Sequence, residues 1–475
     1  MNNQYPELYP SYLWLVPSVF NIADACVHRW ASNTHEGRNT AVYYEDEAGR
    51  RDDWTYTRLS STTQRLANAL ERMEVSPGDR VAVVMTQRPE AVASLMAILS
   101  VGAIAVPLSS HASPIALRNS LTDAEARVAI VDNICGSRVL QTQCPLLKQV
   151  VGLNFENDAI IPWRTLLARQ PNEFRTLATS SRSPALLLYP TDTEHTADGV
   201  LVSHAALIGA LPGFVASQNW FPQKYDTLWS PDWNAWGSLL HALLPALYFG
   251  RPLVAAPNGF SPHQAMTIMS RYQVTNAYLS TALATRIAQE SELLEQHADN
   301  LSLRAIAISG PPLPEAVSNR LQEHTGLTPN LAWNQLETST PIGDSHLKWP
   351  GRAGSLGRPY PGHRVAVIDA RGTPRPAGSA GEIAVHRNDI HEHPDPSLFL
   401  GYWKKDNLTQ NRYIGDWCLT GLWGLTDADG YLWLKPRKHL RARSRHSLHS
   451  LNLAAPVGAN HHCAHSDGRM LHSSA

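Results

Sequence analysis

Cysteine is scarce in this chain of 475 residues. Five are present, Cys26, Cys135, Cys144, Cys418 and Cys463, and none forms a Cys-x-x-Cys pair. That excludes a disulfide-built scaffold and a zinc ribbon, and it suits a reducing, cytoplasmic compartment. An excess of one charge is lacking too. Forty lysines and arginines face 41 aspartates and glutamates, a formal charge of −1, which leaves no general footprint for nucleic acid or an anionic membrane. The first ten residues have no basic stretch ahead of an apolar one, the pattern a secretory leader needs. The most apolar run, Ala91 to Leu108, is interrupted by Ser94, Ser100 and Gly102 and closed by Pro107. It predicts a buried helix and then a buried strand, not a membrane span. What remains is a chain that is 43% hydrophobic and long enough for two to four packed units with large cores. Histidine alone is in local excess: of 21, seven follow Arg437.

Hydrophobic spacing divides the chain. Phe20, Ala23, Val27, Trp30 and Ala31 recur at helical intervals, and Leu59, Thr63, Leu66, Leu70 and Met73 mark one face of a second helix. Short strands are expected at Thr40 to Glu45 and Trp54 to Thr57, and buried strands at Val81 to Met85, Ile104 to Val106 and Val128 to Val131. Helices at Pro89 to Ser100 and Pro114 to Ala124 lie between them. Such alternation predicts an α/β unit with a mainly parallel sheet, assigned residues 1–183. A second α/β unit, 184–349, has strand candidates Ala185 to Tyr189, Pro252 to Ala255, Asn276 to Leu279 and Ala305 to Ile308, with a helical stretch at Trp236 to Tyr248. From 350 to 437 short strands (Arg364 to Ile368, Glu382 to His386, Tyr431 to Leu434) alternate with Gly/Pro turns and predict a small β-rich unit. Residues 438–475 show no periodicity.

The strand ending in Tyr189 runs into Pro190-Thr191-Asp192-Thr193-Glu194-His195-Thr196-Ala197-Asp198-Gly199, then Val200-Leu201-Val202-Ser203-His204. By itself this is a polar surface loop. In order and spacing it resembles the phosphate-binding loop of the AMP-forming adenylating enzymes, the acyl-CoA synthetase family, which reads Tyr-Thr-Ser-Gly-Thr-Thr-Gly-x-Pro-Lys-Gly-Val and then Ser/Thr-His. Further segments resemble that family in the same order. They are Trp54-Thr55-Tyr56, Pro77-Gly78-Asp79-Arg80-Val81, Asp232-Trp233, Asn330 to Thr338, Gly354 to Pro359, Gly381-Glu382-Ile383, Phe399 to Trp403 and Asp427 to Tyr431. The resemblance covers about residues 15 to 437, and its texture is nearest the acetate-to-medium-chain branch.

The resemblance implies a large adenylation domain: two stacked α/β subdomains, layered αβαβα, plus a small β-barrel-like unit. It implies ATP, Mg2+ and CoA as cofactors and a small carboxylic acid as substrate, short- or medium-chain or aromatic, activated to acyl-adenylate and then acyl-CoA. The nucleotide positions it carries over are Thr191, Thr193, Gly199, Gly310, Trp333, Asn334, Glu337 and Arg437. Glu337 is also the metal-associated carboxylate, and Asp232, Trp233 and Trp236 shape the acyl pocket. Trp333 reads either as the aromatic that stacks on adenine or as a core tryptophan. Trp236 reads either as a cap on the acyl pocket or as a core tryptophan, and Arg437 reads as a nucleotide contact or a surface arginine.

Several positions depart from the family pattern. Asp192 and His195 replace loop glycines, whose lack of a side chain lets backbone N–H groups approach phosphate. Asp198 replaces the loop lysine, and Glu194 adds a further negative charge. A unit charge about 4 Å from a phosphate is worth about 4 kcal/mol at an effective dielectric near 20, so this loop should repel a triphosphate. Leu422 replaces the aspartate that accepts both ribose hydroxyls, and losing that charge-assisted pair costs about 1.5–3 kcal/mol. Leu336 and Asn334 replace a threonine and a glycine. Beyond Arg437, His439 and Leu440 stand where hinge acids are expected, and Lys438 is the last lysine, so no secure catalytic residue is assigned. His461, His462, Cys463 and His465 could be drawn as metal ligands; a disordered or out-of-frame tail is the competing account. The expected function is therefore an acyl-CoA synthetase-like protein of impaired activity. The alternatives are an inactive, truncated or frameshifted pseudoenzyme keeping only the fold, with 438–475 expected as an irregular tail in place of the family's C-terminal domain, and a binding module using the acyl pocket.

Overall fold

A computed structural model describes residues 3–155, 157–190, 197–231, 238–256 and 261–436. Two large sheets enclose a helical layer. The first has eight strands in the order Gly401–Tyr402, Val200–Ser203, Pro184–Leu188, Ile104–Pro107, Arg80–Val84, Val128–Asp132, Gln149–Leu153 and Ile161–Pro162. From Pro184–Leu188 onward the pairing is parallel. The second has nine strands in the order Arg358–Pro359, Ser339–Gly343, Asn330–Gln335, Ala305–Ser309, Asn276–Ser280, Leu228–Trp229, Leu253–Ala255, Thr40–Glu45 and Arg51–Thr55.

Strand alternation sorts the side chains into layers. Val81 and Val83 face the central core, which also takes in Val42, Trp54 and Leu253 of the second sheet. Ala82 and Val84 face the opposite side, against Leu117 and Leu121 of the outer helix Pro114–Asp123. The helix Pro89–Ser100 lies in the central layer, and eleven of its twelve residues are buried. It runs through a short turn into the buried strand Ile104–Pro107, as the broken apolar run predicts. Among the described residues no helix is long and apolar enough to cross a membrane.

The third unit is an antiparallel sheet of Val365–Ile368, Gly381–His386, Trp417–Thr426, Tyr413–Ile414 and Leu432–Leu434, curled into a half-barrel. Its inward Ile383, Leu422 and Leu432 join the cluster containing Leu331 and Trp333 of the nine-stranded sheet. The layered α/β fold with a barrel-like appendage is therefore present.

The sheets do not follow the division expected at residue 184. Thr40–Glu45 pairs parallel with Leu253–Ala255, Val42 opposite Leu253, so the first hairpin belongs to the second sheet. Pro184–Leu188 and Val200–Ser203 belong to the first. Strand partners are chosen by burial and edge complementarity across the whole molecule, which a linear reading does not contain. The β-rich segment likewise lends Arg358–Pro359 to the second sheet and Gly401–Tyr402 to the first. The strand expected over Trp54 to Thr57 ends at Thr55, because the Thr55 hydroxyl accepts from the Arg58 N–H at 3.2 Å and caps the helix Tyr56–Arg72.

Candidate nucleotide and acid site

Parallel strands place their carboxyl ends along one edge, where ligands of α/β folds gather. In the nine-stranded sheet that edge carries Tyr278, Ser309, Gly310 and Asn334. The Asn334 Nδ2 donates to the Tyr278 hydroxyl at 2.8 Å, with Ser309 Oγ at 3.3 Å and the Ala332 carbonyl at 3.2 Å. Its amide hydrogens are thus spent on the protein. Gly310 turns with φ at +110°, and a Cβ there would stand 3.3 Å from Thr281 Oγ1. That hydroxyl in turn donates to the Pro311 carbonyl at 2.6 Å. A side chain at 310 would be strained and crowded. Tyr278 carries no motif signal in the sequence, and only the fold reveals it as Asn334's partner.

Trp333 sits one residue before Asn334 and points the other way. It is 2% exposed and shares an apolar cluster with Leu356, Ile383, Leu422 and Leu432. Of its two readings, this burial accords with the core tryptophan. Leu422 is itself 2% exposed. Where the family resemblance implies an acceptor for ribose, this chain closes hydrocarbon over hydrocarbon.

Glu337 is held from three sides. Its carbonyl accepts from the Phe399 N–H at 2.9 Å, and its Oε1 accepts from the Tyr402 hydroxyl at 2.5 Å. The Arg412 Nη2 lies 3.4 Å from the same oxygen. Arg412 is 8% exposed, and its Nε has no partner among the described residues. Burial opposes the guanidinium charge, but the neighbouring carboxylates, Glu337 foremost, outweigh that and hold its pKa above the usual arginine value. Burial and then Glu337 push the Tyr402 phenol well up, so it remains a donor.

This arrangement does not fit a divalent metal. Mg2+ needs several oxygens in near-octahedral geometry, whereas Glu337 is committed to a phenol and a guanidinium. No group of three or more His, Cys, Asp or Glu side chains able to hold a metal occurs among the described residues. A dication about 4 Å from the guanidinium would add about 8 kcal/mol of repulsion at an effective dielectric near 20, before screening.

The base of the loop after Tyr189 belongs to the eight-stranded sheet. The Tyr189 hydroxyl donates to Asp123 Oδ2 at 2.8 Å. A Cβ on Gly199 would stand 2.8 Å from Leu187 Cδ1 and 2.9 Å from the Tyr189 ring, so glycine is needed there for packing as well. Asp198, in the position of the family lysine, accepts from Lys405 Nζ at 2.7 Å. Lys405 also lies 3.3 Å from Asp123 and donates to the Ala197 carbonyl. The negative charge expected to repel phosphate at 198 is thus paired with an ammonium that it shares with Asp123. A double-mutant cycle of Asp198→Asn with Lys405→Met should give a coupling of about 1 kcal/mol in urea unfolding, and a coupling near zero would show the pair to be incidental. His204, from the family's Ser/Thr-His, is fully buried and accepts the Ile22 N–H on Nδ1 at 3.2 Å. It fastens the N-terminal segment to the sheet.

Thr191, Asp192, Thr193, Glu194 and His195 lie outside the described residues, as do Asp232, Trp233, Trp236, Arg437 and every residue after it. Of the expected nucleotide-side positions, Gly310, Asn334 and Glu337 line one edge, Gly199 sits at the loop base, and Trp333 is turned into the core. Lys405 and Arg412 join the site only in the folded chain. Neither belongs to a recognisable motif, and each acquires meaning only from a partner distant in sequence.

The sequence profile of the family described as AMP-binding enzyme matches residues 27–403. The chain belongs to that family. Among its relatives, YtcI of Bacillus subtilis, described as an uncharacterized acyl-CoA ligase, is 28% identical over 409 residues, 84% of this chain and 74% of the relative. An acetyl-coenzyme A synthetase of Pasteurella multocida is 24% identical over 470 residues, covering 90% of this chain and 69% of its own. A Brucella canis acyl-CoA synthetase structure superposes with a TM-score of 0.83 at 21% identity, over 92% of this chain and 80% of that one. This AMP-binding family member is therefore acyl-CoA synthetase-like in sequence and fold, with Trp333, Leu422 and Glu337 arranged as described.

Proposed function

We propose that this AMP-binding family protein descends from enzymes that activate a short- or medium-chain or aromatic carboxylic acid with ATP and CoA, and that its own adenylation is severely reduced. The observation that carries this reading is the burial of Leu422 against the cluster holding Trp333. Adenylation needs the ribose anchored and the triphosphate charge offset while the acid attacks the α-phosphorus in line. An anchor replaced by a buried leucine removes the first requirement. Asp192 and Glu194 in the loop sequence oppose the second, and Glu337 is engaged by Arg412 rather than free for a metal. Among the described residues, the buried free thiols Cys26, Cys135, Cys144 and Cys418 accord with a cytoplasmic setting.

Acid-dependent ATP–pyrophosphate exchange, run with acetate, hexanoate and benzoate, is expected to stay at background, and calorimetry with Mg-ATP and with AMP is expected to show no tight binding. Exchange at ordinary synthetase rates would overturn the reading. Heat from an acid titrated alone, without exchange, would favour a binding module built on the acyl pocket.

A further inference from the structure

We propose that Arg412 is a built-in counter-ion for Glu337, standing where a divalent metal is implied, so that this edge of the site has no dependence on Mg2+. The inference rests on the reading above and deepens it, but its test reads metal binding rather than turnover, so each can fail alone.

Three separate parts of the fold converge on one carboxylate. Glu337 follows the strand Asn330–Gln335 of the nine-stranded sheet. Tyr402 lies in Gly401–Tyr402, paired to Val200 and Leu201 of the eight-stranded sheet. Arg412 lies at the mouth of the half-barrel, where its carbonyl accepts from the Leu419 N–H at 2.8 Å. The Glu337 Oε1 takes the Tyr402 hydroxyl at 2.5 Å and faces the Arg412 Nη2 at 3.4 Å. Arginine does not lose its proton in proteins, so this buried cation cannot be neutralised to admit a metal. Drawing Glu337 away would leave the guanidinium buried without its anion, a strongly destabilising arrangement. Of the other ionisable groups near Arg412, Glu382 acts from the half-barrel at longer range. The Cys418 thiol is held neutral, pushed up to about 12 by burial first. Glu337 is therefore the anion in direct contact, and the pair is complete without a metal.

Mn2+ binding to the full chain, followed by electron paramagnetic resonance, tests this directly. Wild type is expected to leave Mn2+ free at millimolar concentration. Arg412→Met, which releases Glu337, should gain a site at least roughly tenfold tighter, and adding Glu337→Gln should abolish it. A wild-type Mn2+ site lost in Glu337→Gln, or no gain in a folded Arg412→Met, would overturn the proposal. Should Arg412→Met fail to fold, thermal unfolding of wild type with and without Mg2+ decides. An unchanged Tm supports the built-in counter-ion, and a rise in Tm that Glu337→Gln removes would overturn it.

Discussion

Leu422→Asp, which restores the acid expected in the ribose-binding motif, should unfold the protein more readily and should not build a ribose site. Leu422 is 2% exposed among Leu356, Ile383, Leu432 and Trp333. Burying an unpaired carboxylate there carries an effective penalty of several kcal/mol, and removing a buried leucine side chain costs roughly 2–5 kcal/mol more. Part of the charge penalty is avoided if the new acid stays protonated. Its folded pKa would then lie above its unfolded value, so the damage should grow as pH rises through the carboxylate range and lessen on acidification. A urea midpoint series at mildly acid and mildly alkaline pH should show a loss of about 4 kcal/mol or more, larger at alkaline pH. Calorimetry should show no gain in AMP affinity. A stable Leu422→Asp protein that acquires AMP binding would mean that this position opens onto a ligand cavity, contrary to the burial described.

Acid should destabilise the native state through two buried histidines. Burial lowers the pKa of His204 to about 4 and that of His241 to about 3, from an ordinary value of 6.5. His204 spends its Nδ1 lone pair on the Ile22 N–H, and His241 Nδ1 lies 3.0 Å from Thr340 Oγ1 inside the core. In both cases the unfolded chain takes up the proton first. Their contribution is complete above about pH 6.5 and is lost as pH falls towards 4 and then 3. At 1.36 kcal/mol per unit the two together amount to several kcal/mol.

Asp344 acts in the opposite sense. Burial raises its pKa to about 7, with the Leu331 backbone N–H only partly opposing. Its cost is greatest above pH 7 and is relieved as pH falls through that value towards the unfolded carboxylate pKa. Net stability should therefore peak near neutrality and fall in acid by a few kcal/mol, as read from urea midpoints between pH 7 and 4. Asp344→Asn should raise stability above neutrality. His241→Gln should flatten the acid limb, and an acid limb as steep as wild type's would count against the role given to His241.

The layers were legible because their periodicities are local. The broken apolar run from Ala91 to Leu108 could hold only a short helix and a buried strand, and helix Pro89–Ser100 with strand Ile104–Pro107 is what forms. Leu422 was legible as a departure from the ribose motif, but whether leucine left a hole or filled one depended on Leu356, Ile383 and Leu432 closing around it. Asp198 shows the limit more sharply. In the sequence its charge is a repulsion, and Lys405, about two hundred residues later, turns it into an ion pair. Arg412 lies in a polar stretch with no helical or strand pattern, so its partner Glu337 could be found only through the convergence of both sheets with the half-barrel.

The early hairpin, Thr40–Glu45 with Arg51–Thr55, makes its parallel contact with Leu253–Ala255. At roughly 5–20 residues per second, a ribosome needs about 10–40 s to make the intervening chain. Through that interval the edge of Thr40–Glu45 that will receive Leu253 has no native partner, and the nine-stranded sheet cannot close from its N-terminal side. Completion of the central layer is thus timed by elongation, and the nascent chain spends that interval with an unpaired strand edge of the kind that chaperones guard.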